Sequence, residues 1–312
     1  MMRRLIILVL LAFCKTGYGQ QTVLVTKNKE NYYEEYSVLQ SDKKIKHGRY
    51  LKLGKPLFGG YSFESVGSYS HGLKTGFWET YYENNNNIKD QGFYKNDQRD
   101  SVWVSFYPEG IQRKIAEVQS EEGTSLQVVD ANPITSKMGN YRDGEISGIW
   151  EYFDQRGVII QKYNHDHDSL VFSNNADTKN IDAGYIGGEF QLYQHLYDIF
   201  DFDGLMTTIN TKISLQSSKI VFKFTVDETG KLRDITELEN TVSNKKIYDR
   251  AFESTQSLNA KWYPTMQNGI PQTITKTITF KLDVSSSGES FDTGKWFFAK
   301  TTKGFNLGIK VE

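Results

Sequence analysis

Cysteine is almost missing from this chain, with Cys14 the only one in 312 residues. It sits inside "MMRRLIILVLLAFCKTGYGQ", where Arg3 and Arg4, an apolar run from Leu5 to Phe13 and small exit residues at Gly17 and Gly19 make the three parts of an export signal. Removal of residues 1–20 leaves a mature chain without a thiol, which excludes disulfides, thiolate metal sites and cysteine nucleophiles together. Acylation of Cys14 to give a lipoprotein is the lesser alternative, because Phe13 stands where that signal wants a small residue. An uncleaved anchor is a further alternative.

Long apolar runs are missing too. Leu5 to Phe13 falls short of the roughly 20 residues that span a bilayer, so no transmembrane span is expected after signal cleavage. Prolines number 5, which argues against a proline-rich spacer or a long disordered tail. Basic excess is also missing: losing Arg3, Arg4 and Lys15 takes the formal charge from −1 to −4, and no nucleic-acid partner is expected.

Catalytic signatures are equally scarce. The chain has no G-x-S-x-G elbow, no phosphate-binding G-x-x-x-x-G-K-S/T run and no H-E-x-x-H. Of five histidines (His47, His71, His165, His167 and His195), only "NHDHD" at 164–168 forms a cluster. Residues i and i+2 share a face on a strand, and a divalent metal accepts imidazoles and carboxylates, so a metal-assisted hydrolase at His165 and His167 is the remote alternative. A solvated turn is the leading reading. The pairs Glu34-Glu35 and Glu121-Glu122 read as solvated carboxylates. No catalytic, cofactor-binding or metal-ligating residue is assigned, and the expectation is a protein that is not an enzyme and carries no cofactor.

What the chain has is aromatic residues, 14 % of the total with 19 Tyr and 19 Phe, in a repeated frame. "GSYSHGLKTGFWETYY" (67–82), "GFYKNDQRDSVWVSFY" (92–107) and "GNYRDGEISGIWEYFD" (139–154) each place an aromatic two residues, and a tryptophan eleven residues, after a leading glycine. Aligned on Gly67, Gly92 and Gly139, the columns are Tyr69, Tyr94, Tyr141; Gly72, Asp97, Gly144; Gly76, Ser101, Gly148; Trp78, Trp103, Trp150; and Tyr81, Phe106, Phe153. "KHGRYLKL" at 46–53 reads as the second half of an earlier unit, with Gly48 and Tyr50 in the glycine and tryptophan columns. Each unit predicts two short strands around a tight turn, one face apolar. One hairpin cannot bury that face alone, so stacked units predict an extended sheet. Spacings of 25 and 47 residues between leading glycines leave room for a degenerate unit, or a surface loop, at 108–138.

This frame resembles the MORN repeat, and more closely the YwqK-type antitoxin-component repeats, with the pattern G-x-Y-x-x-G-x-x-x-G-x-W-x-x-Y over roughly 45–160. Asp97 and Ser101 depart from it by replacing glycines. The resemblance implies an elongated antiparallel sheet used for scaffolding or binding, with no chemistry of its own. Packing of the rings between repeats is the leading reading of the tryptophans and tyrosines; a ring surface that captures glycan or peptide is the alternative.

From 185 the pattern changes. Leu192, Leu196, Ile199 and Phe200 recur at helical spacing, and Ile220, Phe222, Phe224 and Val226 alternate as a half-buried strand. "DETG" at 227–230 turns the chain into a second strand through Ile235 to Leu238. Ile247, Ala251, Phe252, Thr255 and Leu258 predict a second helix, and Ile274, Ile278, Phe280 and Leu282 a last long strand. The order predicts an α+β domain of antiparallel sheet with helices on one side. "GGEF" (187–190), "VFKFTVDETGKLRDI" (221–235), Ala251, "WYP" (262–264), "NGIPQ" (268–272) and "ITFKL" (278–282) resemble the C-terminal domain of TonB and its energy-transducing relatives.

That resemblance, over about 185–283, implies a periplasmic domain that adds an extended segment of a partner to its sheet edge. The partner would be a TonB-dependent receptor, a secretion component or another envelope protein. No proline-rich spacer accompanies it, which weakens force transmission. After "SSSGES", the segment "KWFFAKTTKGFNLGIKVE" predicts a further hairpin about Thr302 to Gly304. If formed, that hairpin covers the edge the family uses.

The expected organisation is a signal at 1–20, a lead-in at 21–44, a MORN-like repeat domain at 45–160, a linker at 161–184, a TonB-like domain at 185–283 and a tail at 284–312. The function expected is that of an exported envelope interaction protein, its repeats a scaffold and its last domain a docking module. A structural or cell-wall-glycan-associated role without transducer activity is the alternative.

Overall fold

A computed structural model of the chain describes residues 20–55, 61–82, 86–108, 114–120, 123–129, 133–174, 177–201, 205, 218–259, 261–283, 297–300 and 306–312. Residues 1–19 of the segment expected to be an export signal, Cys14 among them, and the turn expected at Thr302 to Gly304 lie outside the described residues. The chain divides into two compact units, Met1–Trp103 and Val104–Glu312.

The first unit is an antiparallel sheet built in chain order from β1 (Thr22–Asn28), β2 (Tyr32–Leu39), β3 (Lys46–Gly54), β4 (Ser62–Ser70), β5 (Leu73–Tyr81), β6 (Ile88–Lys95) and β7 (Gln98–Phe106), in which the division between units falls. Its strands begin at 22, so the expected lead-in is part of the sheet. Two-residue turns join the hairpins of the repeat, and both central residues take φ > 0: His71 and Gly72 at 51° and 87°, Asn96 and Asp97 at 53° and 66°. Such turns match the right-handed twist of the strands they connect. Asp97 therefore keeps the conformation of the glycine it replaces, as short polar side chains can.

The second unit continues the frame with β10 (Thr135–Arg142) and β11 (Glu145–Phe153), joined by the turn Asp143-Gly144 and followed by β12 (Ile159–Asn164) and β13 (Ser169–Ser173), each antiparallel to the last. Between 108 and 138 the chain forms its own two-stranded hairpin, β8 (Lys114–Ser120) with β9 (Gly123–Val129). The segment expected as a linker thus carries ladder strands through 173. Its polarity concealed them: Gln161, 5 % exposed on β12, uses its side-chain oxygen to accept the Gly187 backbone N–H at the start of a helix. A buried amide with that task reads in sequence as a linker residue.

The α+β region follows: β14 (Gly184–Tyr185), α1 (Gly188–Phe200), β15 (Ser218–Val226), β16 (Leu232–Asn240), α2 (Lys245–Gln256), β17 (Trp262–Tyr263), the hairpin β18 (Thr265–Gln267) and β19 (Ile270–Gln272), β20 (Ile274–Asp283), β21 (Phe297–Lys300) and β22 (Asn306–Val311). The five-stranded sheet runs β16-β15-β20-β22-β21. Asn244 starts α2 by accepting the N–H groups of Lys246 and Ile247 at 3.0 and 3.3 Å.

One core joins Leu192, Leu196 and Phe200 of α1 and Ile247 and Ala251 of α2 to the inward residues of the sheet. Ile220, Phe222, Phe224 and Val226 come from β15, and Ile278, Phe280 and Leu282 from β20, as their alternation predicted. Each such side chain contributes about 1.5–3 kcal/mol on burial. The tail adds Leu307 and Ile309, each 1 % exposed.

Candidate functional site

The glycine-to-tryptophan spacing has a steric cause. Cross-strand pairing sets each indole flat on the leading glycine of its unit: a Cβ at Gly67 would lie 2.1 Å from Trp78, at Gly92 2.4 Å from Trp103 and at Gly139 2.4 Å from Trp150. Each indole N–H donates to the carbonyl one residue after that glycine: Ser68 (3.1 Å), Phe93 (3.0 Å) and Asn140 (3.1 Å). The tyrosine two residues on meets the indole edge-on, with ring centres 5.2, 5.1 and 5.3 Å apart for Tyr69, Tyr94 and Tyr141.

A column that the sequence reading passed over closes the rings from above. Four residues before each ring in the first unit stands a cation: Lys46 before Tyr50, Lys74 before Trp78 and Arg99 before Trp103. Lys46 Nζ lies 4.5 Å from the Tyr50 ring centre, Lys74 Nζ 4.6 Å from that of Trp78, and the Arg99 guanidinium carbon 4.3 Å from that of Trp103. Each cationic head itself lies over its ring, on a half-buried side chain. All three tryptophans of the frame are 2 % exposed. These tryptophans are packed within the sheet and offer no ring surface for a glycan, while Tyr69, Tyr94 and Tyr141 are half-buried. In the third unit Ile146 occupies the cation's place.

Lys46 also binds Glu34, Nζ to Oε1 at 2.9 Å, and Lys27 approaches the same carboxylate at 3.4 Å. Burial pushes the Glu34 carboxyl up, but the hydrogen bond and charge of Lys46, with Tyr50 and Lys27, outweigh it and hold the group below its ordinary value. On the other face, Phe77 and Phe93 pair across β5 and β6 with ring centres 5.4 Å apart, and are 44 % and 49 % exposed.

At the C-terminal sheet, the strand at 274–283 does not present a free edge. β22 pairs with it antiparallel from Ile278↔Val311 to Asp283↔Asn306, and Thr277 exchanges two backbone hydrogen bonds with Glu312 at 2.8 and 2.9 Å. This is the covered-edge arrangement raised by the tail sequence, and it closes docking along 278–283. The outer strands are β16 and β21. β16 is a poor template for addition, with Asp234 at φ 52° breaking its run, two register shifts, and Glu237 and Glu239 exposed.

The "NHDHD" segment spans the turn between β12 and β13, so its residues do not alternate as on a strand. His165 turns inward, with Nε2 3.1 Å from the Tyr152 hydroxyl; His167 is exposed, and the Asp166 carboxylate accepts the Gly148 N–H at 3.0 Å. Among the described residues no group of three or more His, Cys, Asp or Glu side chains is placed to hold a metal ion. Among the described residues no helix is long and apolar enough to cross a membrane.

Cavities open among the described residues of the second unit. One of about 580 Å³ is walled by Tyr107 and Phe190, whose ring centres are 4.3 Å apart, and by Arg156, which is engaged by Asp154 at 2.7 Å. Another, about 340 Å³, lies among β11, the β12–β13 turn, α1 and Lys261, and collects His165 and His195. His195 places Nε2 2.9 Å from the Ser257 hydroxyl. Burial lowers the proton affinity of both imidazoles.

Comparisons with protein-family models, with curated proteins and with solved structures found no match to this chain.

Proposed function

We propose that this is an exported envelope protein without catalytic activity that binds other proteins. In this reading the MORN-like sheet is the scaffold, and the TonB-like domain takes an extended segment of a receptor or secretion component by strand addition. The observation that carries the reading is the order of the C-terminal sheet, which ends at β21 with a neighbour on one side only among the described residues. A strand with unpaired backbone groups accepts another with little regard to side chains. The accepting edge is Phe297–Lys300, in place of β20, whose residues 278–283 the chain's own β22 occupies. Export to the periplasm rests on the signal-like residues 1–20.

A second reading, surface association through the repeat sheet, is favoured by the exposed Phe77 and Phe93 pair. Photo-crosslinking in the native envelope separates the two. A photoreactive residue at Ala299 is expected to capture a protein, with Thr275 and Phe77 as comparison positions. Capture only from position 77, or of cell-wall material alone, moves the function to the repeats. Absence of any adduct from 299 in cells that express the protein ends the strand-addition reading.

A further inference from the structure

The cavity of about 340 Å³ in the second unit stands near the lower limit of small-molecule pockets, roughly 300–1,000 Å³. Its floor is aromatic and imidazole: Tyr152 of β11, Tyr185 of β14, His165 and His195 of α1. Its rim carries charges of both signs from separate segments. Lys261 lies between α2 and β17, and Asp168 closes the β12–β13 turn with φ 45°.

These two opposite charges face one cavity, yet neither enters an ion pair among the described residues. Both lie within electrostatic reach of the same imidazole, His165, which Asp168 makes more basic and Lys261 less. A cation and an anion held around one concave space without closing on each other leave both available to a ligand that separates its own charges. Lys137 and Asp198, the latter accepting the Gln194 amide N–H at 2.9 Å, add one further charge of each sign to the lining, so a bare anion would meet two carboxylates and a bare cation two ammonium groups. Gln191 adds an amide donor and acceptor suited to a peptide group, and Gln194, whose amide nitrogen donates to Asp198, adds a carbonyl acceptor.

We infer that this cavity binds a small zwitterion, a free amino acid or a short peptide with both ends unblocked, its carboxylate toward Lys261 and its ammonium toward Asp168. The inference is independent of strand addition at β21, since the residues and the ligand differ.

Titration calorimetry on the full chain with the dipeptide alanyl-alanine tests it, beside the N-acetylated and the C-amidated dipeptides. The expected result is saturable binding with Kd below about 1 mM, weakened at least about 10-fold by either block. Asp168→Asn should remove most of the discrimination against the acetylated form and keep that against the amide; Lys261→Met should do the reverse. Both side chains are exposed, and matching thermal melts establish that the variants fold. No saturation by 10 mM dipeptide, equal binding of blocked and unblocked forms, or unchanged discrimination in both variants overturns the inference. The blocked peptides test the unaltered protein, so the outcome does not hang on a variant.

Discussion

The repeat sheet of the first unit and the α+β region of the second bury aromatic side chains in different ways. The α+β region uses two layers: helices α1 and α2 cover one face of its sheet, and Phe200, Phe222, Phe224 and Phe280 reach 0 % exposure between them. In the repeat frame, each indole finds its cover within its own and adjacent hairpins, from a bare glycine below, a tyrosine at the edge and, in the first unit, a lysine or arginine side chain above. Steric demands are therefore concentrated at single positions in the repeats and spread over many in the α+β core. Substitutions break the two regions by different routes.

The largest effect is expected where the α+β core depends on its distant tail. Removing residues 306–312 takes away Leu307 and Ile309 and uncovers β20, and should lower the stability of that region by about 5 kcal/mol in urea unfolding. A loss under about 1 kcal/mol would show that the tail is not part of the core. In the repeats a single methyl should approach that effect. Gly92→Ala drives a Cβ into the Trp103 ring and should cost about 3 kcal/mol, seen as red-shifted tryptophan fluorescence and a lower melting temperature.

Gln161→Leu keeps the volume but leaves the Gly187 N–H without its acceptor, for a loss of about 2 kcal/mol that Gln161→Glu should partly recover. Glu34→Gln tests the ionic clasp on Lys46 and should cost about 1–2 kcal/mol at pH 7. The folded carboxyl titrates below its ordinary value of 4.5, so its contribution is complete above that pH and disappears as pH falls through the lower folded-state value. Wild type and variant should therefore converge in acid; a difference that grows in acid contradicts the assignment. The smallest effect belongs to Lys74→Met, which keeps the stem over Trp78 and removes the charge. It should cost about 0.5 kcal/mol, and Lys74→Ala more, because stem and charge go together.

The repeat hairpins were legible in the sequence because their causes are local. Turn, glycine and tryptophan lie within eleven residues, and the partner of each glycine is the adjacent strand. The cation column is equally local, four residues before Tyr50, Trp78 and Trp103, but lysine and arginine at single positions in a polar hairpin read as solvated surface. Gln161 was misleading because a buried amide and a linker amide are the same letter. The mixed-charge cavity was out of reach altogether. Its lining comes from β10, β11, the β12–β13 turn, β14, α1 and the turn at Lys261, brought together from 137 to 261 by tertiary packing.

The sequence by itself determined the strand-turn-strand rhythm of the repeats, the two amphipathic helices and the buried alternation of β15 and β20, since each follows from steric and hydrophobic demands among near neighbours. Only the tertiary structure decided that β22 lies between β20 and β21. The alternation of Leu307 and Ile309 specifies one buried face, but the order of strands in a sheet depends on which edge remains open once the rest of the chain has packed.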